Sequence, residues 1–124
     1  MKTLPVILGV LIIAVFFAGK GKAAYKSISQ QQAKEMMDRQ DVVILDVREQ
    51  SEYDTGHIAG AQLLPVGSIT DHTAAEVIKS KDSTVLVYCR SGNRSKKAAA
   101  FLAKLGYTNV YEIGGITTWP YAVE

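Results

Sequence analysis

The sequence contains a single cysteine, Cys89, among its 124 residues. One cysteine excludes an intramolecular disulfide framework and a zinc site built from several cysteines. The chain also has no internal repeat and no low-complexity segment. A lone thiol is either a buried packing residue or a reactive group, and the residues around it decide between the two.

Positive charge is scarce outside the amino-terminal region. The chain has 14 basic and 12 acidic residues, but three of the basic residues and none of the acidic ones lie in residues 1–23, which leaves residues 24–124 with a net charge of −1. Apart from a cationic cluster just after Cys89, no basic stripe or aromatic-interleaved basic run remains. We therefore expect no nucleic-acid partner.

Residues 1–23 read as a targeting segment rather than as part of a fold. Residues 4–18 are almost wholly apolar, follow Lys2, and end in small residues. This pattern is typical of a secretory signal peptide, and small residues near Ala23 predict cleavage there. The remaining residues 24–124 form one domain of ordinary size.

An uncleaved N-terminal membrane anchor is the alternative for this segment. The apolar stretch is short for a membrane span of about 20 residues, which favours a signal peptide. Lysines at positions 20, 22 and 26 follow it directly, and positive charge there resists export. Either way we expect an extracytoplasmic protein, periplasmic or secreted, or one anchored in the membrane at the cell envelope.

After the leader, short apolar runs alternate with helical patterns, which predicts an α/β domain with a largely parallel sheet. The predicted strands cover residues 25–28, 41–47, 62–64, 84–88 and 109–113. The predicted helices begin near Ser29, Ser51, Asp71 and Ser95.

Two of the predicted helices carry clear end signals. Ser29 followed by Gln32 is a capping-box pattern. Gly106 lies where a glycine ends the last helix. The apolar positions of that last helix fall at the spacing of one face, namely Ala98, Phe101, Leu102 and Leu105.

Cys89 follows the predicted central strand and precedes a helix, and open α/β sheets bind ligands at this edge. Backbone N–H groups and the helix dipole there favour a negative charge. Gly92 allows a tight turn, and the other loop residues supply donors or positive charge, namely Arg90, Ser91, Asn93, Arg94 and Ser95. We therefore predict a pKa for Cys89 below the usual value of about 8.5 and a thiolate nucleophile beside a pocket for an anionic substrate.

Three motifs carry a resemblance to a known family. They are LDVREQSEYDTGHIAGA (residues 45–61), VYCRSGNRS (87–95) and IGGITTW (113–119). In this order, over about residues 25–120, the chain resembles the single-domain rhodanese-like sulfurtransferases. The resemblance implies a three-layer domain with a central, mostly parallel five-stranded sheet flanked by helices.

The resemblance also implies a reaction. A sulfane sulfur moves from thiosulfate or a related anionic donor to cyanide or a thiol acceptor through a persulfide on Cys89, as in nucleophilic covalent catalysis. It implies no metal and no cofactor. The expected partners are therefore small molecules, with membrane contact only through an uncleaved N-terminal segment, and we expect a monomer.

The same resemblance assigns roles to residues. Cys89 is the nucleophile, and the active-site loop binds the substrate through Arg90, Ser91, Gly92, Asn93, Arg94 and Ser95. Asp46 and Arg48 match the Asp-x-Arg of the family, and we assign them structural support, since a carboxylate beside the thiolate would raise the pKa of the thiol.

Four further residues near these motifs are expected to have no catalytic role. We expect Lys96 and Lys97 to be solvated, like most lysines. His57 lies in a motif that forms a structural turn in the family, which speaks against a general base. Trp119 is expected to pack at the rim of the domain.

Two alternative functions remain open at the level of the sequence. A cysteine phosphatase or arsenate reductase would have Cys-x5-Arg, whereas Arg94 here gives Cys-x4-Arg, a shorter ring of N–H donors. A non-catalytic module could use the same thiol as a sulfur carrier or redox sensor. The one departure from the family pattern that we note is Ala59, where proline is common.

Overall fold

The computed structural model describes residues 24–124, so the leader predicted over residues 1–23 lies outside the described residues and stays a prediction. The strands are β1 (Lys26–Ser27), β2 (Val43–Asp46), β3 (Gln62–Leu63), β4 (Thr84–Cys89) and β5 (Asn109–Gly115). They form one sheet in the order β1-β5-β4-β2-β3, and every neighbouring pair is parallel. The predicted five-stranded sheet is confirmed.

Four α-helices and two short 3-10 turns connect the strands. They are α1 (Gln30–Arg39), α2 (Gln50–Thr55), a 3-10 turn (Val66–Ser68), α3 (Asp71–Val77), α4 (Asn93–Lys104) and a second 3-10 turn (Ile116–Thr118). Residues of α3 and α4 share one core cluster with one face of the sheet, and residues of α1 and α2 share a second cluster with the other face. The domain therefore has the three layers that the resemblance implied. Within residues 24–124, no helix has the length and apolarity that crossing a membrane requires.

Alternation along β4 determines which layer each side chain enters. Val85, Val87 and Cys89 lie in the cluster with α3 and α4, whereas Leu86 and Tyr88 lie in the cluster with α1 and α2. Successive side chains of a strand point to opposite faces, so the two sets separate cleanly. Cys89 consequently ends the strand on the side of α4.

The helix starts follow local capping chemistry. At α1 the capping box is present, because the N–H of Gln32 donates to Ser29 Oγ at 3.0 Å and the N–H of Ser29 donates to Gln32 Oε1 at 3.0 Å. Helix α2 begins at Gln50 rather than at Ser51, since the cap is Glu49, whose N–H donates to Glu52 Oε1 at 2.9 Å. The prediction of Ser51 as its start was therefore wrong.

Helix α4 differs from its prediction in two respects. It begins at Asn93 instead of Ser95, because Gly92 takes a left-handed conformation with φ of 111° and turns the chain into the helix earlier. Its buried face is centred on Ala98, Ala99, Leu102 and Ala103, while Phe101 is 42% exposed. The small alanines form the contact face against the sheet and rotate Phe101 out of the predicted stripe.

A β-bulge interrupts the pairing of β4 with β5 beside Cys89. Val87 pairs with Glu112, but Cys89 pairs with Gly115, so β5 contains one more residue than β4 between these pairs. Gly114, in this extra length, has φ of 89°, a conformation that favours glycine. The bulge brings Gly115 alongside the cysteine.

Candidate active site

The sulfur of Cys89 sits at the junction of β4 and the loop that leads to α4. The residue is 1% exposed and is packed in the core cluster beneath α4. Its Sγ accepts a hydrogen bond from the N–H of Gly92 at 3.0 Å and lies 3.4 Å from Ser95 Oγ. The thiol is thus buried, but polar groups of its own loop surround it.

Burial by itself would raise the pKa of the Cys89 thiol. Hydrogen bonds from the Ser95 side chain and from the N–H groups of Ser95, Gly92 and Ser91 act in the opposite direction, and together they hold the pKa of Cys89 below its usual value. Donors aimed at the sulfur stabilise the thiolate, as at helix amino termini generally. The arrangement supplies a nucleophile rather than an inert core cysteine.

The loop is fixed in place by the segment that follows β5. The carbonyl oxygen of Arg90 accepts hydrogen bonds from the N–H of Thr117 at 3.3 Å and from Thr117 Oγ1 at 3.1 Å. Gly115 lies so close that a Cβ there would overlap that same carbonyl oxygen. These supports were missed from the sequence, although the motif at 113–119 contains both residues.

The two arginines of the loop have different surroundings. The Arg94 guanidinium donates to both carboxylate oxygens of Glu52 on α2, at 2.7 and 3.0 Å, in a bidentate pair. The side chain of Arg90 is exposed, and no ion pair to it is found within the described residues. Arg94 would have to share its guanidinium with Glu52 to contact an anion, whereas Arg90 faces solvent.

The remaining loop residues divide into exposed and buried. Ser91 and Asn93 are exposed at the amino end of α4, and Gly92 is buried beneath them. Ser95 is fully buried and bonds inward, so its hydroxyl supports the loop from below. Substrate binding by these loop residues stays a prediction.

A buried carboxylate that sequence reasoning missed lies under the loop. Glu112 of β5 is 3% exposed, and its Oε2 accepts hydrogen bonds from Ser95 Oγ at 2.6 Å and from the N–H of Gly114 at 2.9 Å. Its signal in the sequence is one charged residue within the otherwise apolar run of the last strand. Buried charges are rare enough that such a position merits attention.

Asp46 and Arg48 form a buried ion pair on the other side of the sheet. Arg48 Nη2 lies 2.7 Å from Asp46 Oδ2 and also donates to the carbonyl of Gly56 at 2.8 Å. The same Asp46 oxygen accepts the Tyr88 hydroxyl at 2.6 Å, and Tyr88 belongs to the cluster of α1 and α2. The hydrogen bond to Asp46 raises the pKa of Arg48, and burial raises the pKa of Tyr88. This geometry fits the predicted structural support, and it keeps the carboxylate away from the thiolate.

His57 and Trp119 occupy packing positions. The His57 ring stacks on Tyr53 with ring centroids 3.8 Å apart, and its Nε2 lies 3.6 Å from Glu124 Oε2. Trp119 is nearly buried, and its indole N–H donates to the carbonyl of Ala122 at 3.3 Å. Neither ring has a hydrogen bond to Cys89 within residues 24–124.

The described residues contain no cluster of side chains suited to bind a metal ion. Over residues 24–124 there is no group of three or more His, Cys, Asp or Glu side chains placed to hold a metal ion. The expectation that the reaction needs no metal or cofactor stays a prediction.

The fold and the loop together define a class of protein: a parallel α/β domain with an activated cysteine where its central strand ends. The chain belongs to the family of the rhodanese-like domain, whose model matches residues 29–121. Thiosulfate sulfurtransferase GlpE of Pseudoalteromonas translucida is 38% identical over 100 residues, which cover 80% of this chain and 92% of that protein. Thiosulfate sulfurtransferase GlpE of Coxiella burnetii is 38% identical over 96 residues, covering 77% of this chain and 87% of that protein.

Solved structures agree with this assignment. The rhodanese-like domain of an Anabaena protein superposes with a TM-score of 0.72 at 25% identity, covering 82% of this chain and 80% of that one. A rhodanese-related protein of Thermoplasma volcanium gives a TM-score of 0.68 at 32% identity, covering 81% and 98%. The predicted family and the predicted rhodanese type of enzyme are confirmed.

Proposed function

We propose that this protein transfers a sulfane sulfur from thiosulfate, or a related small anionic donor, to cyanide or a thiol acceptor through a persulfide on Cys89. The observation that carries the proposal is the Cys89 sulfur itself, with its pKa lowered by hydrogen bonds from its own loop. The names of the relatives, which are thiosulfate sulfurtransferases, point to the same donor.

In the first half-reaction the Cys89 thiolate attacks the outer sulfur of thiosulfate. A new S–S bond forms to Cys89, and the bond between the outer sulfur and the sulfonate breaks. Sulfite leaves with the electron pair of that bond, and the negative charge moves to the terminal sulfur of the persulfide. The N–H of Gly92 donates to Cys89 Sγ, and donors held in place beside the reacting sulfur stabilise negative charge that develops during the reaction.

In the second half-reaction the acceptor attacks the terminal sulfur of the persulfide. Cyanide becomes thiocyanate, or a thiolate becomes a persulfide, and the electron pair of the broken S–S bond returns to Cys89 as thiolate. No proton or electron is left over, so the cycle needs no further reactant. This two-step exchange is covalent nucleophilic catalysis with ping-pong kinetics.

We assign the attraction of the donor first to Arg90. Its side chain is exposed beside the loop, whereas the Arg94 guanidinium is occupied by both oxygens of Glu52. A guanidinium is always charged and suits an anion with several oxygens. The predicted contact of Arg94 with the substrate therefore requires that Arg94 give up at least one of its two hydrogen bonds to Glu52.

The test is a steady-state assay of thiocyanate formation from thiosulfate and cyanide, with the full-length protein, Cys89→Ser and Arg90→Ala. We expect no activity for Cys89→Ser, and for Arg90→Ala a KM for thiosulfate raised about tenfold with kcat nearly unchanged. Activity retained in Cys89→Ser would refute the persulfide route. Unchanged kinetics in Arg90→Ala would refute only the role of that arginine.

The alternative of a redox sensor is less compatible with the sequence. Sensor cysteines often lie next to a resolving cysteine, whereas Cys89 is the only cysteine in the chain. The phosphatase alternative is disfavoured by the four-residue spacing between Cys89 and Arg94 and by the pairing of Arg94 with Glu52.

We also propose that the protein works outside the cytoplasm or at the cell envelope, on the strength of the apolar leader in residues 1–23. Fractionation of expressing cells, followed by intact-mass measurement of the recovered protein, tests this. A protein in the periplasm or medium whose mass corresponds to a chain that begins near Ala24 supports a cleaved signal. A protein of full-length mass in the membrane fraction supports an anchor. The full-length protein in the cytosol would contradict both.

A further inference from the structure

Glu112 is the one buried carboxylate on the Cys89 side of the sheet within the described residues, and the sulfur-transfer chemistry above makes no use of it. Its Oε2 lies 2.6 Å from Ser95 Oγ, and Ser95 Oγ in turn lies 3.4 Å from Cys89 Sγ. Hydrogen bonds to sulfur are longer than hydrogen bonds to oxygen, so the 3.4 Å contact of Cys89 with Ser95 is within range. The three side chains therefore form a continuous hydrogen-bonded series. Two titratable groups thus meet at one hydroxyl.

The hydroxyl of Ser95 has a single proton to donate. In one arrangement an ionised Glu112 accepts this proton, and the 2.6 Å contact has the length of a hydrogen bond to a charged oxygen. The oxygen of Ser95 then presents a lone pair to Cys89, which matches an S–H group that donates to it. In this arrangement the backbone N–H groups of the loop lower the pKa of Cys89, and the Ser95 hydroxyl adds to that lowering only when its proton turns from Glu112 to the sulfur.

The opposite arrangement is also complete. When Glu112 carries a proton, it donates to Ser95 Oγ, and the Ser95 hydroxyl proton is free to donate to a Cys89 thiolate. Passing from one arrangement to the other moves the S–H proton to Ser95 Oγ and the former Ser95 proton to Glu112 Oε2. The number of protons is unchanged, and one negative charge moves from Glu112 to Cys89.

We propose that Glu112 is a second titratable group of this active site, a positioning residue that controls through the Ser95 hydroxyl whether Cys89 is held as a thiol or as a thiolate. The inference deepens the proposed function, in that it takes Cys89 as the nucleophile. It assigns Glu112 to the regulation of that nucleophile by pH and by the charge of bound ligands, since an ionised Glu112 opposes a thiolate nearby.

Other charged groups lie near Cys89, Ser95 and Glu112 and contribute to the electrostatic potential there. Lys96 of α4, whose side chain is largely exposed, lies with its Nζ 4.0 Å from Glu112 Oε1. Beside Cys89 are the Arg94 and Glu52 pair and the exposed Arg90. The neighbours of Glu112 on adjacent elements are uncharged, namely Ser27 of β1, Val87 of β4 and, against Gly114, Gln30 of α1.

The test is a pH titration of the Cys89 thiolate by ultraviolet absorbance in the full-length protein. Cys89→Ser serves as the blank that cancels the tyrosines, and because the chain has one cysteine the whole difference signal belongs to Cys89. We expect Glu112→Gln to move the midpoint down by about one pH unit, since the buried negative charge is gone and Ser95 is free to donate to the sulfur. Glu76→Gln, the same charge change at an exposed position of α3, should leave the midpoint unchanged.

The route through Ser95 is tested by repeating the comparison in a Ser95→Ala background. We expect the effect of Glu112→Gln to fall to about half or less there, because the link between the two groups is cut. An equal shift in both backgrounds would overturn the role of Ser95, and no shift in either would overturn the inference. The titration reads the thiol without sulfur transfer, so a protein that behaves as expected here but takes no sulfur from thiosulfate refutes only the proposed function.

A second measurement serves if Glu112→Gln fails to fold. Coupling between two sites is reciprocal, so the ionisation of Cys89 must also be visible at Glu112. In the wild-type protein we expect the side-chain carboxyl carbon resonance of Glu112 to show an inflection at the midpoint of Cys89, and we expect this inflection to vanish in Cys89→Ser. A Glu112 resonance that ignores the ionisation of Cys89 would overturn the inference.

Discussion

At the scale of single residues, the reactivity of Cys89 comes from competition between burial and hydrogen bonding. Burial opposes the thiolate, and donors from Ser95, Gly92 and Ser91 outweigh it. The lowered pKa means that the thiolate is populated at a lower pH than in a free cysteine. The loop therefore favours the nucleophilic thiolate without a histidine in contact with the sulfur, and His57 stacks on Tyr53 instead.

This competition predicts the pH dependence of alkylation by iodoacetamide. We expect the rate for the folded protein to rise with pH through a midpoint below about 8.5, the value of an unperturbed cysteine, because only the thiolate reacts. The urea-unfolded protein offers a matched control, since its one cysteine loses the hydrogen bonds of the loop. Equal midpoints for the folded and unfolded protein would mean that the loop does not activate Cys89.

A second prediction at this scale concerns the pair of Glu52 with Arg94. Hydrogen bonds from Arg94 and from the N–H of Glu49 lower the pKa of Glu52 from its usual 4.5 to about 2. A lowered carboxyl pKa stabilises the folded state fully above the unfolded value, and this contribution is lost as pH falls through the folded value. The wild-type protein should therefore lose this stabilisation between pH 4.5 and about 2.

Urea denaturation at several pH values checks this expectation. Near neutral pH, Glu52→Gln should unfold with a free energy about 1 kcal/mol or less below that of the wild type, because the pair is partly exposed. The difference should shrink as the pH falls towards 2. A difference that stays constant over this range would show that the ion pair is not its source.

At the scale of elements, the position of the loop depends on β5. The bulge at Gly114 brings Gly115 beside Cys89, and the carbonyl of Arg90 fills the space that a side chain at residue 115 would need. Gln30 of α1 also donates to the carbonyls of Ile113 and Gly115, at 3.1 and 2.9 Å. The end of β5 is thus held from one side by α1 and in turn supports the loop.

This contact predicts that Gly115→Ala damages both stability and the site. We expect the free energy of unfolding to fall by about 1 to 3 kcal/mol, the usual cost of overpacking, and the pKa of Cys89 to rise as the loop shifts. Gly67→Ala is the matched control, because a Cβ at residue 67 meets nothing within 4 Å. Denaturation and thiol titration of the two variants separate them, and a Gly115→Ala protein equal to the control would contradict the account of this contact.

Local elements could be predicted from the sequence because their signals are local. The capping box of Ser29 and Gln32 and the apolar run of β4 depend on neighbouring residues, and both were confirmed. The contacts that complete the site join residues far apart in the chain, such as Glu52 with Arg94 and Ser95 with Glu112. No periodicity encodes such pairs, so Arg94 was predicted as a substrate contact without its carboxylate partner.

At the scale of the whole molecule, the parallel sheet separates two kinds of polar chemistry onto opposite faces. The Asp46–Arg48 pair lies with Tyr88 on the side of α1 and α2, and it fixes the chain at Gly56. Cys89, Ser95 and Glu112 lie on the side of α4. The fold thereby keeps a permanent buried ion pair away from the thiolate, which its carboxylate would otherwise disfavour.

The family resemblance carried the prediction of this architecture further than periodicity alone. Alternating apolar runs and helical patterns predicted an α/β domain with five strands and placed Cys89 after the central strand, and the resemblance added the arrangement in three layers. The outward rotation of Phe101 could not be read from the apolar pattern, because alanines at 98, 99 and 103 form the close contact with the sheet. Small residues give weak hydrophobic signals in a sequence and strong packing in a fold.

The persulfide route is tested by the intact mass of the full-length protein, measured before thiosulfate, after thiosulfate, and after subsequent cyanide. We expect a gain of about one sulfur mass that disappears with cyanide and never appears in Cys89→Ser, because the sulfur is carried as a persulfide on that residue. No gain in mass in a folded protein whose Cys89 titrates with a lowered pKa would contradict the persulfide route, and so would a gain that survives in Cys89→Ser.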